Sequence, residues 1–471
     1  MAKTFLDILA CIILVSFHSA SAIQLNLDDH ASIHHAASTV AYGMMKYYHG
    51  NETGQTPGLL PEPYYWWEAG AMFGALIDYW RYTGDSTYND VVSQAMLWQA
   101  SANQDFMPPN QTKAEGNDDQ AFWAITALMA AESGFPNPPP EDPQWLALAQ
   151  AVFNLQAARW DHETCNGGLR WQIFPFNRGY HYKNSISQGG FFDLAVRLGA
   201  FTGNSTYYDW ADKMYAWCES VGLISPTYQV FDGTDSLIKC SELNHDQWSY
   251  NTAIFLHGSA VMYNQTTGTT QETWRNRTAG FLQSSFAFFT SPSTSSSQTP
   301  ANSPATNANK TIMYEAACER SATCNTDQRS FKAYLSRWLA ATSQLAPFTA
   351  PSILPLLRSS ALAAAQSCSG GTDGVTCGQK WWVEGWDGNY GVGEQMSALE
   401  VIQSCLVEGS RAPLDGSDGG ASQGNAGAGG GTGREGAEDV EEIGKRDREG
   451  AVALTVVLVL GTVAAAWWMA V

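Results

Sequence analysis

Apolar residues recur at helical spacing through most of this chain, and glycine-containing turns punctuate the runs. Ala71 to Trp80 forms one such run, closing at Thr83-Gly84-Asp85-Ser86, and a second resumes from Tyr88 to Ala100. A third begins at Asn117-Asp118-Asp119-Gln120 and continues through Ala131. Strand-like alternation is scarce; Gly168 to Phe174 is the one stretch that suggests a short hairpin arm. Gly70–Tyr88 is echoed by Gly189–Tyr207 at an offset of 119, with Thr83-Gly84-Asp85-Ser86-Thr87-Tyr88 matched by Thr202-Gly203-Asn204-Ser205-Thr206-Tyr207. Further turns at Ser133-Gly134 and Thr267-Gly268 are spaced for helical hairpins. Repeated hairpins in one unit of this size predict an all-α fold, an α/α toroid with inner helices ringed by outer ones. Thr290–Asn309 reads as a Ser/Thr/Pro-rich surface insertion, and Pro347–Pro355 as a break before the last helices.

The ends divide the chain further. Residues 1–22 have the basic start, apolar middle and small-residue finish of a secretory signal. Residues 23–410 form the helical domain, 411–450 a Gly-rich and then charged linker, and 451–471 an apolar tail. Small residues, a polar spacer and a terminal apolar tail are the order of a GPI-attachment signal; a single spanning helix is the alternative. Export agrees with Asn-X-Ser/Thr acceptors at Asn51, Asn110, Asn204, Asn264, Asn276 and Asn309. Of nine cysteines, Cys11 leaves with the signal, and the remaining eight argue for disulfides, with Cys318–Cys324 and Cys368–Cys377 suggested by spacing. No cysteine has metal-finger spacing, and neither metal nor cofactor is expected.

The formal charge is −20, of which residues 411–450 carry −4 and the signal none, leaving −16 on the domain. That surface repels phosphate backbones and sets nucleic acid aside as a partner. With only 15% charged residues, 12% aromatics and 18 Trp, a neutral carbohydrate fits better than a polyanion.

Asp118 and Asp119 are the centre of the candidate chemistry. Asn117 is a good helix N-cap and Gln120, three residues on, imitates a capping box, so the pair could be ordinary first-turn acids. Two adjacent carboxylates at a helix end opening on a cleft can equally serve as a catalytic pair, since their repulsion makes one hold its proton to higher pH. Trp67, within Tyr64-Tyr65-Trp66-Trp67-Glu68, and Trp386, within Trp381-Trp382-Val383-Glu384-Gly385-Trp386-Asp387, stand before the first repeat helix and the last. Either could stack on a sugar or pack in the core. Lys183, Asn184 and Asp246 are candidates for sugar hydroxyls, and Asn117 for a place beside them.

Asn117-Asp118-Asp119-Gln120, Cys165-Asn166-Gly167-Gly168-Leu169-Arg170-Trp171, Tyr182-Lys183-Asn184-Ser185-Ile186-Ser187 and Asp246-Gln247-Trp248-Ser249-Tyr250-Asn251 occur in that order. The set resembles glycoside hydrolase family 76, the α-1,6-mannanases, and in particular its GPI-anchored fungal wall members. The broken glycine run after Cys165 and the irregular segment around His245 depart from that pattern. The resemblance implies an (α/α)6-type toroid and retaining hydrolysis or transfer at α-1,6-linked mannose, with Asp118 as nucleophile and Asp119 as acid/base. A monomer, lipid-anchored at the outer face of the plasma membrane and wall, is expected. There it would take the GPI-core glycan as donor and β-glucan as acceptor. The alternative is a non-catalytic glycan-binding surface protein on the same fold.

Overall fold

The computed structural model of the protein describes residues 22–290 and 311–429. Most of the signal, the insertion at 291–310 with Asn309, and the charged spacer and apolar tail from 430 onward lie outside the described residues. Among the described residues twelve α-helices form the body: α1 His30–Met45, α2 Trp66–Thr83, α3 Asn89–Gln99, α4 Asn117–Ser133, α5 Trp145–Ala158, α6 Ser185–Thr202, α7 Ser205–Ser220, α8 Ser249–Gln265, α9 Gly268–Ser285, α10 Phe331–Leu345, α11 Ala350–Ser367 and α12 Val392–Gln403. The even-numbered helices each pack on the next, and α12 closes the ring on α2. Each odd-numbered helix lies outside, against its even-numbered neighbours. This is the expected (α/α)6 toroid.

The two rings differ in composition for a physical reason. An inner helix meets protein on every side and must be apolar or small nearly all round. Thus α6 is buried almost continuously from Ser185 to Phe201, whereas α9 buries only Trp274, Thr278, Phe281, Leu282 and Ser285. The internal echo has a structural basis as well. Gly84 and Gly203 end α2 and α6 in the left-handed conformation, with φ of 74° and 68°, and their N–H groups bond back to Trp80 and Gly199.

Several expectations are corrected. No strand forms over 168–174; a single bridge joins Gln172 to Gly116. The small sheet lies elsewhere, as β1 Tyr182–Asn184, β2 Gly233–Asp235 and β3 Leu243–Asn244, all antiparallel. Pro347 does break the chain, but Pro355 sits inside α11 as its sixth residue, where it removes the N–H that would donate to the Pro351 carbonyl. The two short disulfides form, together with Cys165–Cys240, yet Cys218 and Cys405 are unpaired among the described residues. Finally, residues 411–429 are not a free linker. Leu414 N–H bonds to Glu132, Ser422 Oγ accepts from Leu146 N–H, and Asn154 Nδ2 donates to Ala428, so this stretch is docked along α4 and α5.

Candidate active site

The amino ends of α2, α4, α6, α8 and α10 converge on one mouth of the ring, and Trp67, Asp118, Ile186, Tyr250 and Phe331 line one cavity there of about 320 Å³. The loop before α4 aims the two aspartates into it. Gly116, not Asn117, is the N-cap residue, and Asp119 Oδ2 accepts from the Gly116 N–H at 2.7 Å. Gln120 takes no part in the cap: its amide donates to the Asp105 carbonyl and its oxygen accepts from Arg159. Gly116 is required by space, since a Cβ there would fall 2.2 Å from Asp118 Oδ1. Asn117 N–H donates to the Trp171 carbonyl at 2.8 Å and Ile173 N–H to the Glu115 carbonyl at 3.2 Å, which stitches the turn to the segment expected as a hairpin.

Asp118 is the better supplied with donors. Its Oδ2 accepts from Asn184 Nδ2 at 2.7 Å and its Oδ1 from the Asp119 N–H at 3.0 Å. Burial and the neighbouring Asp119 charge nevertheless lift the Asp118 carboxyl well above its ordinary range, against the Asn184 bond. Burial lifts Asp119 to about 6, with the Gly116 amide opposing and Asp327 adding to the rise. The two ionise in steps that belong to the pair, and one proton is retained well above the ordinary carboxylate range.

Around them stand further acids. Burial pushes Asp327 up to about 6, although Trp67 Nε1 donates to its Oδ1 at 3.1 Å. Asp232 accepts from Tyr182 Oη at 2.6 Å and from Asn244 Nδ2 at 3.2 Å, and Asp246 completes that wall. A second lobe of about 330 Å³ adjoins the first; Trp67, Asp119, Trp171 and Asp327 border both, and Tyr65, Gln111, Glu115 and Gln172 extend it. Among the described residues neither lobe is lined by Lys or Arg. Glu115 is buried in the second lobe's wall with neither carboxylate oxygen bonded, and burial together with Asp119 raises it well above its ordinary value.

Of the residues singled out in the sequence, Asp118, Asp119, Trp67, Asn184 and Asp246 meet at the cleft. Three do not. Asn117 is buried behind it, its side chain spent on the Arg170 carbonyl and the Arg159 guanidinium. Lys183 points away because residues along β1 alternate faces: Tyr182 and Asn184 line the cleft, while Lys183 Nζ is buried against Asp161 at 2.9 Å and the Thr164 and Gly167 carbonyls. Trp386 lines a separate cavity, and of its sequence neighbours Trp381 is buried while Trp382 donates to Glu319.

Asp327, Asp232, Asn244, Trp171, Tyr182, Trp248 and Tyr250 were missed as site residues. Four of them lie in the very motifs quoted above, where their neighbours drew the notice. Asp327 precedes an inner helix just as the Asp pair heads one, and that position was the available signal.

Comparison with known proteins agrees with this geometry. The model of glycosyl hydrolase family 76 matches residues 32–417. The chain is 46% identical to "Mannan endo-1,6-alpha-mannosidase DCW1" of Candida glabrata, over 97% of this chain and 98% of that protein. It is 46% identical to the protein of the same name in Saccharomyces cerevisiae, over 97% of each. Among solved structures, Dfg5 from Chaetomium thermophilum in complex with glucosamine aligns at a TM-score of 0.78 and 42% identity, covering 86% of this chain and 97% of that one. The α-1,6-mannanase GH76A of Salegentibacter sp. HEL1_6 shares the fold at a TM-score of 0.59 and 17% identity, over 79% of this chain and 98% of that one. An acid pair at the head of an inner helix of a closed α/α ring, and a family match running almost from end to end of that ring, together make this chain a glycoside hydrolase belonging to glycosyl hydrolase family 76.

Proposed function

We propose that the protein is a retaining, endo-acting α-1,6-mannosidase or transglycosidase acting on mannose-containing glycans of the fungal wall. The observation that carries this is the Asp118–Asp119 pair at the junction of two sugar-sized lobes, with Asn184 fixing one member. Hydrogen-bond donors favour negative charge, and Asp118 has two where Asp119 has one, so Asp118 is assigned as the nucleophile although burial and the Asp119 charge lift its carboxyl. Asp119, raised to about 6 by burial with Asp327 adding to the rise, gives its proton to the leaving oxygen. Asp118 attacks the anomeric carbon as the glycosidic C–O bond breaks, and a glycosyl ester forms. Asp119 then takes a proton from water or a sugar hydroxyl, whose oxygen displaces Asp118 with net retention.

The second lobe favours transfer as well as hydrolysis, because Asp119 borders both lobes while Asp118 borders only the first. A leaving group could depart from that lobe and an acceptor hydroxyl arrive there, within reach of the same base. In this reading the GPI-core glycan is the donor and β-glucan the acceptor, and the enzyme works as a monomer held by a lipid anchor at the outer membrane face. Signal and tail composition support that location, as does exposure of the sequon residues Asn51, Asn110, Asn204, Asn264 and Asn276. The test is incubation with an α-1,6-mannooligosaccharide, with and without a β-glucan oligosaccharide, followed by mass and anomeric NMR. An α-configured first product is expected, with a mannosyl–glucan adduct if transfer operates. A first product of inverted configuration overturns the retaining mechanism, and absence of any turnover returns the protein to glycan binding alone.

A further inference from the structure

We infer that the cavity beneath Trp386 is a second carbohydrate site, a non-catalytic platform for the pyranose rings of a neutral hexose polymer. The cavity, of about 380 Å³, lies between Tyr47 at the end of α1, the 371–376 loop after α11, Trp386 and Tyr390, and Gln395 in the first turn of α12; it shares no lining residue with the catalytic cleft. Two large aromatics are left open to solvent, Trp386 at 39% and Tyr390 at 61%.

Trp386 is not merely exposed; it is held. One face of the indole lies on Gly370, where a Cβ would fall 2.3 Å from the ring, so the backbone is the floor on which the ring rests. Its Nε1 donates to the Asn389 carbonyl at 2.6 Å. Asp387 fastens the loop by accepting from the N–H groups of Gln379, Lys380 and Asn389 and from Asn389 Nδ2. The Cys368–Cys377 disulfide and the Gly370–Thr376 bridge fix the opposite bank. A rigid ring with one face packed and the other free presents apolar area at little cost in conformational freedom, and the apolar face of a pyranose is its natural complement.

Charge narrows the ligand. Among the described residues the only charged groups lining the cavity are Lys46 and Asp373, and they are paired with each other, so a phosphate or uronate gains no free cation and an amine no free anion. Gln395 is anchored at the Cys377 N–H and the Val40 carbonyl. The site also lies on the mouth that bears the cleft. Tyr64 meets Tyr47 edge-on at 6.2 Å and accepts from the Val392 N–H, and its neighbour Tyr65 lines the second catalytic lobe. A polymer seated on Trp386 is thereby presented towards that lobe.

Sedimentation with insoluble β-1,3-glucan and with α-1,6-mannan, run on wild type, Trp386→Ala, Trp386→Phe and Tyr390→Ala, tests the assignment without depending on turnover. We expect Trp386→Ala to weaken binding to at least one polymer about tenfold, Trp386→Phe to restore part of it, and Tyr390→Ala to lose a smaller share. Turnover of a short α-1,6-mannooligosaccharide should be unchanged in all three. The polymer whose binding is lost identifies the source of the hexose chain. Full binding to both polymers by Trp386→Ala and Tyr390→Ala overturns the proposal. So does a parallel loss of short-substrate turnover in folded Tyr390→Ala, which would make this loop a wall of the cleft.

Discussion

The two mouths of the ring both gather buried acids, to opposite ends. At the mouth where the even-numbered helices begin, Asp118, Asp119, Asp232, Asp246 and Asp327 surround open space with no Lys or Arg among the lining residues described. At the mouth where those helices end, acids and arginines are matched. Arg337 Nε meets Asp78 at 2.9 Å and its Nη2 meets Glu400 at 2.5 Å. Arg197 joins Glu132 at 2.6 Å and Asp193 at 2.9 Å, and His257 completes the set on Asp193 at 2.6 Å. A cavity of about 30 Å³ remains among these groups, and one of about 220 Å³ lies outside it between the ends of α2 and α4 and residues 411–414. Helix amino ends tolerate unpaired carboxylates because their free N–H groups carry partial positive charge, as at Gly116, while carboxyl ends favour arginine. The fold therefore has one end that can leave acids unpaired for chemistry and one that ties acids up for stability.

The largest expected effect separates the ends outright. Asp118→Asn should lower turnover of α-1,6-mannan by about 10⁴-fold or more, with a melting temperature equal to or above wild type, because a buried repulsion has been removed. Turnover near wild type would place the pair with the structural acids after all.

Arg337→Met should do the reverse. Leaving Asp78 and Glu400 buried without their cation costs about 3–5 kcal/mol in urea unfolding at neutral pH, with turnover per folded molecule preserved. Burial already lifts Glu400 to about 8, against the pull of Arg337 and with Asp78 adding to it, so a proton can relieve the orphaned pair. The loss should accordingly be larger at pH 9, where wild-type Glu400 is ionised beside Arg337, than at pH 7. An equal loss at both values would show that the arginine acts through packing.

Acid and base should also loosen different ends. Burial raises Glu68 to about 8, and likewise Asp119 and Asp327 to about 6, around the open mouth. In each case the folded chain holds a proton that the unfolded chain has released, so stability is full near pH 4 and falls as pH rises through 6 to 8, by on the order of a few kcal/mol. Asp193 has the opposite sign: burial opposes its charge, but His257 and Arg197 outweigh it and hold it below its ordinary value. Its contribution is lost as pH falls below about 4. Urea midpoints at pH 7.5 lower than at pH 4.5 would bear this out; a rise across that interval would contradict it.

What the sequence disclosed follows the same division. The ring was legible because periodicity, an internal echo and glycine stops are local signals, and the Asp pair because two acids in a first helical turn are adjacent in the chain. Lys183 and Asn184 were indistinguishable by type; only the pairing of β1 with β2 decides which faces the cleft. Asn117 looked like a cap because its chemistry suits one, yet the 171–173 segment claims its backbone and shifts the cap to Gly116. Trp386 and Trp67 shared an aromatic-rich setting before an inner helix, and the long loop before α12 carried one of them to a different cavity. Asp327 stands in no run of its own and reaches the site only because the turn before α10 comes against Trp67 of α2.

Asp327 gives the smallest and most discriminating effect. It faces Asp119 across the junction of the two lobes and holds Trp67 Nε1, so it could act on the sugar or on the proton. Asp327→Asn keeps the shape and an oxygen for the indole N–H but removes the charge. That charge helps raise Asp119, so without it the acid releases its proton at lower pH. The alkaline limb of kcat/KM should move to lower pH, with a loss of about two- to fivefold at pH 6.5 and little change at pH 4.5, where both forms stay protonated. A limb that stays in place while KM rises equally at every pH would assign Asp327 to holding a sugar hydroxyl. The open mouth would then owe its poise to burial alone.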